Sequence, residues 1–245
     1  MSDDEEESEK IKEIKIVLLG ESGVGKSSII KQYVTKTFDP DINSSISSKY
    51  ISKEITVPDI NKRIKYNLWD TAGQEKYRSL AKIFYKDANV IIFVYSVDNL
   101  KSFESLKSFW YEETKNSSLS NVIFGLVGNK NDLYNISQVD KNEAIEWADS
   151  IGAIFQLTSA KSNEGIDLLF ENLGKKIFNP EFDYKKEDEE AKKNYEMKKK
   201  AKEENKNKDN DAKDDDVVKI PEVKSIKLND KNLVVNDNKK KKGCC

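Results

Sequence analysis

Gly20-Glu21-Ser22-Gly23-Val24-Gly25-Lys26-Ser27 is the stretch that decides the fold. It fits G-x-x-x-x-G-K-[ST], a pattern that is informative when it follows a strand and opens a helix. Upstream, Ile14-Lys15-Ile16-Val17-Leu18-Leu19 is a short apolar run ending at a glycine, which reads as a buried strand. Downstream, residues 26–35 read as a helix. In this setting glycines let backbone N–H groups turn toward an anion, and the helix N-terminus adds its positive dipole. Ser22, Gly23, Val24, Gly25, Lys26, Ser27 and Ser28 are therefore the candidate phosphate-binding residues. Lys26 is placed to reach β- and γ-phosphates, and the Ser27 hydroxyl to ligate Mg²⁺.

Outward from this loop, strands and helices alternate. Lys49–Val57 and Arg63–Trp69 read as two strands joined by the turn chemistry of Pro58-Asp59-Ile60-Asn61, a hairpin. Val90–Tyr95, Asn121–Gly128 and Ala153–Leu157 read as further buried strands. Helical patterns lie near 101–115, 140–150 and 163–177, and carry Trp110, Tyr111, Trp147 and Phe170 as core aromatics. Alternating strands and helices predict a parallel α/β sheet covered on both faces. Such sheets bind ligands at the carboxyl ends of their strands.

The phosphate loop does not choose between adenine and guanine. Asn129-Lys130-Asn131-Asp132 does, because it follows the strand that ends at Gly128. The Asp132 carboxylate can accept from the N1–H and exocyclic amine of guanine. Adenine offers no matching donors there, so the site's polar groups would go unpaired. Thr158-Ser159-Ala160-Lys161 follows the last strand and would bring backbone N–H groups of Ser159, Ala160 and Lys161 near the base. In Trp69-Asp70-Thr71-Ala72-Gly73-Gln74-Glu75, Asp70 ends a strand where a carboxylate can hold a water on Mg²⁺. Gly73 can bring its N–H to the γ-phosphate, and Gln74 can orient an attacking water.

Composition narrows the alternatives. The 245 residues contain no histidine, and the only cysteines are Cys244 and Cys245. Ser-His-Asp, Cys-His and His-ligated zinc chemistry are excluded within this chain, and the core can form no disulfide, which fits a reducing compartment. No apolar run is long enough for a transmembrane helix, and the acidic N-terminus shows no secretory signal. Residues 1–10 hold six acids against one lysine, and 181–245 hold 36 charges in 65 residues. The segment between is nearly neutral, so nucleic-acid binding by the whole domain is not expected. Three regions result: an acidic extension at 1–10, a folded domain at 11–179, and a charged, mostly disordered tail at 180–245.

Four such motifs, in this order, resemble the Ras superfamily of small GTPases, over residues 11–178. The branch most similar is Rab, on the segment Trp69–Leu80, on Phe84-Tyr85-Lys86-Asp87-Ala88, and on the terminal Cys244-Cys245. The resemblance implies an α/β P-loop NTPase fold: a six-stranded, mostly parallel sheet with about five helices on both faces. It implies binding of GTP and GDP with Mg²⁺, held by Ser27, Ser45 and Asp70, and slow hydrolysis with Gln74 orienting the water. Phe38 matches the aromatic that packs on guanine. Tyr50, Trp69 and Phe84 match the surface triad that Rab effectors read, with plain packing the alternative for Tyr50 and Phe84. An exchange factor, a GTPase-activating protein, effectors and a prenyl-binding chaperone follow as expected partners of a monomer. Lys239–Lys242 and the two terminal cysteines suit double prenylation, which would hold the protein on the cytoplasmic face of an intracellular membrane and let it cycle with the cytosol.

Two features depart from the family. Rab proteins have Thr-Ile-Gly in switch I where this chain reads Ser45-Ile46-Ser47, so the metal-ligating hydroxyl is kept and a rotamer-limiting methyl is lost. The tail is long, and its Val217–Leu228 island is apolar-rich, read as a disordered linker or as a segment that folds onto a partner. Two rivals remain at this stage: a GTP-bound scaffold with negligible hydrolysis, and a P-loop ATPase or small-molecule kinase.

Overall fold

A computed structural model describes residues 11–40, 49–71, 81–115 and 121–186. Six strands form one sheet: β1 (Lys12–Leu19), β2 (Lys49–Val57), β3 (Lys62–Asp70), β4 (Val90–Ser96), β5 (Ile123–Asn129) and β6 (Ile154–Leu157). Their spatial order is β2-β3-β1-β4-β5-β6. Only the β2–β3 pair is antiparallel, the hairpin expected from sequence, with Val57 opposite Lys62 and Lys49 opposite Asp70. Its turn places Asp59 and Asn61 at positive φ, a conformation that Asp and Asn tolerate better than most side chains.

The central strands are buried on both faces, which explains their unbroken apolar runs. Along β1, Ile14, Ile16 and Leu18 enter one core and Val17 and Leu19 the other. β4 divides in the same way, Val90, Ile92 and Val94 against Ile91, Phe93 and Tyr95. Helices α1 (Lys26–Thr35) and α6 (Ile166–Phe178) supply Ile29, Ile30, Tyr33, Leu169, Phe170 and Leu173 to the first core. The second is covered by α3 (Leu100–Ser105), a π turn (Leu106–Tyr111), α4 (Glu112–Lys115) and α5 (Lys141–Ser150). Trp110 and Phe170 are fully buried, whereas Tyr111 and Trp147 are only partly so.

Three differences from the sequence reading are structural. The single helix expected over 101–115 is interrupted by the π turn. The sequence pattern locates four helices; a short α2 (Ala81–Tyr85) makes up the expected five, and a 3₁₀ turn (Asn131–Ile136) follows β5. The last helix starts at Ile166 rather than near 163, because Ser159 and Glu164 pair as an isolated bridge and Gly165, at φ 69°, turns the chain into the helix. From Asn179 to Lys186 the chain stays on the body. Tyr184 packs against the core and Lys185 pairs with Asp149 at 2.5 Å. No helix among the described residues is long and apolar enough to cross a membrane.

Candidate functional site

The carboxyl ends of β1, β3, β5 and β6 converge on one set of loops. Parallel pairing sets Leu18 of β1 beside Asp70 of β3, and Gly128 of β5 beside Leu157 of β6. The phosphate loop, Asp70, Asn129–Asp132 and Thr158–Lys161 therefore emerge at the same edge of the sheet.

The phosphate loop is shaped by close approach. Gly20 sits at φ 146°, and a Cβ there would lie 2.1 Å from the Val94 carbonyl oxygen. Gly25 sits at φ 99°, and a Cβ would meet Asn129 Nδ2 at 2.2 Å. Both positions accept only glycine. Val24 is buried and anchors the loop, while Ser22 and Gly23 face solvent. Gly25 is also the N-cap of α1 and offers no side-chain acceptor, so the first-turn N–H groups of Lys26, Ser27 and Ser28 face the loop's hollow. The Lys26 ammonium donates to the carbonyl oxygens of Gly20 (2.8 Å) and Glu21 (2.9 Å). Burial pulls its pKa down from 10.5 to about 8, with Asp70 and Glu21 opposing the fall. Phosphate oxygens in that hollow would restore the proton.

Ser27 and Asp70, 43 positions apart, meet: the Ser27 hydroxyl donates to the Asp70 carboxylate at 2.6 Å. Asp70 is buried at the end of β3, and the next residue, Thr71, fixes that end by donating to the Leu18 carbonyl at 2.6 Å. A hydroxyl and a carboxylate oxygen side by side, next to a phosphate loop, are hard donors that suit Mg²⁺.

The base loop is built from side chains. Asn129, almost fully buried, donates from Nδ2 to the Val24 carbonyl (2.8 Å). Its Oδ1 accepts from the Thr158 hydroxyl (3.1 Å) and the Ala160 N–H (3.3 Å). It thus ties three loops together. Lys130 takes a left-handed conformation at φ 63°. The Asp132 carboxylate accepts from the Ser159 hydroxyl at 2.6 Å, and Ser159 Oγ accepts from the Ser162 N–H. Ser159 and Ala160 are buried and Lys161 is exposed. Gly128, just before the loop, leaves room for the Tyr95 hydroxyl and Leu157, which a Cβ would meet at 2.6 and 2.7 Å. Phe38 follows α1 as an exposed ring, 39% accessible. Ser45, Gly73, Gln74, Cys244 and Cys245 lie outside the described residues, as do the 1–10 extension and the Val217–Leu228 island.

A family model described as Ras family matches residues 15–179. The chain belongs to the Ras family. Human Rab-22A is 40% identical over 167 residues, 68% of this chain and 84% of its own, and mouse Rab-31 is 41% identical over the same length and shares. RabJ of Dictyostelium discoideum is 38% identical over 182 residues, 74% of this chain and 70% of its own. This Rab-type small GTPase is a guanine-nucleotide switch of membrane traffic, and the fold expected from its phosphate loop is the fold observed. The three rings of the expected surface triad also meet. Tyr50 and Trp69 make an edge contact at 5.3 Å, Trp69 and Phe84 are 6.4 Å apart, and Tyr50 is 52% exposed. Lys15 lies over Trp69 at 5.0 Å.

One contact to the phosphate loop is not marked by any motif. Glu21 was only a spacer in the motif, yet its carboxylate accepts from Ser105 and from the Trp110 indole. Trp110 is a core aromatic, as its helical position indicates, but a buried indole N–H also needs an acceptor, and that requirement is the available signal.

Proposed function

We propose that this chain holds GTP and GDP between the phosphate loop and the Asp132 carboxylate and hydrolyses GTP slowly. The observation that carries the reading is the Asn129 tie. It fixes the spacing between Val24 of the phosphate loop and the Thr158–Ala160 segment that positions the base-reading carboxylate. A nucleotide carries phosphate at one end and base at the other, the two chemistries that the linked loops offer.

Ser27 and Asp70 would hold Mg²⁺, joined by Ser45. Held there, Mg²⁺ would supply positive charge to offset the charge that develops on the phosphates. The chain's own residues do the rest. Lys26 neutralises phosphate charge, backbone N–H groups of the loop cradle oxygens, and Gln74 orients the attacking water. Only Arg63 and Arg78 occur in the whole chain, and neither lies in the phosphate loop. Weak intrinsic turnover and an arginine supplied in trans by an activating protein follow. Residues 38–50 and 70–84 change partners with nucleotide state, and Tyr50, Trp69 and Phe84 present the effector-facing surface. Prenylated Cys244 and Cys245, with Lys239–Lys242, hold the protein on a membrane. The chain acts as a monomer loaded by an exchange factor and extracted by a prenyl-binding chaperone.

Two measurements on the purified chain test this. GTP should displace a fluorescent GDP while ATP at the same concentration does not; equal competition would return the ATPase reading. Single-turnover hydrolysis should be slow in the wild type and slower in Gln74→Leu at unchanged GTP affinity. Equal rates would favour the GTP-bound scaffold, to which Ser45 and Ser47 in switch I already lend some support.

A further inference from the structure

We infer that Glu21 is a positioning residue that clamps the phosphate loop to the third helical segment, so that the π turn of that segment controls how tightly nucleotide is held. The inference rests on the nucleotide-binding reading above.

Glu21 acts through both its backbone and its side chain. Its carbonyl oxygen accepts from the Lys26 ammonium at 2.9 Å, so the orientation of this peptide sets where the phosphate-neutralising charge sits. Its carboxylate leaves the loop in the other direction. Oε1 accepts from the Ser105 hydroxyl and from Trp110 Nε1–H, the latter at 3.3 Å. Trp110 is buried within the second core, and Ser105 is partly buried at the start of the π turn. The loop is therefore anchored to a rigid body rather than to a mobile surface group.

The helix irregularity helps bring the two donors to one oxygen. In an α-helix, residues five apart are separated by about 140° around the axis and point to different faces. In a π turn, residue i+5 is the hydrogen-bond partner of residue i and lies one turn above it on the same face. Leu106–Tyr111 is such a turn, and it brings Ser105 and Trp110 onto the face that meets Glu21. Four of its six side chains also serve the second core or pack against it: Leu106 and Trp110 buried, Phe109 and Tyr111 partly so. A shift of this segment would therefore be felt at the Glu21 carbonyl, and through it at Lys26.

The test is the rate at which fluorescent GDP leaves the full-length, Mg²⁺-loaded protein. Ser105→Ala, which removes one donor and little volume, and Trp110→Phe, which removes the other donor together with part of a buried ring, should each speed release about 3- to 10-fold. Glu21→Ala should do at least as much. Glu21→Gln keeps an oxygen for both donors and should release GDP within about 2-fold of the wild type, as expected for hydrogen-bond positioning rather than charge. In the Glu21→Ala background, Ser105→Ala should add nothing, because the partner is already gone. Melting temperatures close to wild type for Ser105→Ala would separate positioning from general loosening. Wild-type release rates in Glu21→Ala and Ser105→Ala overturn the inference, as do additive effects or a fast Glu21→Gln. A wild-type protein that fails to retain GDP at all would instead sink the nucleotide reading itself, before any variant is compared.

Discussion

The phosphate loop and the base loop lie at the same sheet edge, yet they are built from different material. The phosphate loop is made of backbone. Its shape depends on Gly20 and Gly25 approaching Val94 and Asn129 more closely than any Cβ allows, and even its one cation is held by carbonyl oxygens. The base loop is made of side chains. Asn129 pairs with Thr158 and Asp132 with Ser159, and Asn129 also ties in the backbone at Val24 and Ala160. A charge spread over phosphate oxygens is met by many N–H dipoles, none of which needs a particular side chain. A base must be told from another base, and that takes a donor or acceptor at one place. The two halves should therefore fail in different ways.

The largest effect is expected at Gly25. In Gly25→Ala the new methyl would collide with an Asn129 amide that three bonds hold in place, and the residue would have to keep φ near 99°. Strain and overpacking together should cost about 2–5 kcal/mol. Thermal melting should fall by roughly 5–15 °C, and nucleotide binding should be lost for every base alike. Retained GDP binding would mean that the backbone half is more plastic than its contacts suggest.

Asn129→Ala attacks the join between the halves. It leaves the Val24 carbonyl, the Thr158 hydroxyl and the Ala160 N–H without their partner. About 2–4 kcal/mol should go, seen as GDP release roughly 30- to 1,000-fold faster. A loss confined to guanine nucleotides, with pyrophosphate binding intact, would show that Asn129 serves the base alone.

Asp132→Asn should leave the phosphate half untouched and change only the base. An amide donates where the carboxylate accepted, so guanine should lose about 10- to 100-fold in affinity and xanthine should gain. Competition between GDP and xanthosine diphosphate reads the ratio directly. An unchanged ratio would remove Asp132 from base recognition.

The smallest effect is a proton. With its pKa pulled to about 8 by burial, Lys26 is half neutral at pH 8 in the nucleotide-free chain. Because the folded value lies below the unfolded one, the buried ammonium costs stability below pH 8, and that cost is relieved as pH rises from 8 toward 10.5. Phosphate binding recharges the amine. Calorimetry in buffers of different ionisation enthalpy should show uptake of about half a proton at pH 8 and almost none at pH 6.5. Equal uptake at both would place Lys26 fully charged before ligand arrives.

The sequence alone determined the phosphate loop, the base-reading string, the hairpin and the six-strand pattern. These are local facts: a glycine where φ must be positive, an Asp after a strand, apolar runs of strand length. What it did not show is which distant residues share a hydrogen bond. Glu21 and Trp110 are 89 positions apart. Nothing near either one announces the other, and a helix pattern over 101–115 looks the same with or without a π turn. Helix phase is set by what the helix packs against, and the core beneath Leu106 and Trp110 exists only once β4, β5 and α5 are assembled. The same holds for Asn129, legible as part of a base-reading motif but made a three-loop tie only by the parallel register that brings β1, β5 and β6 to one edge.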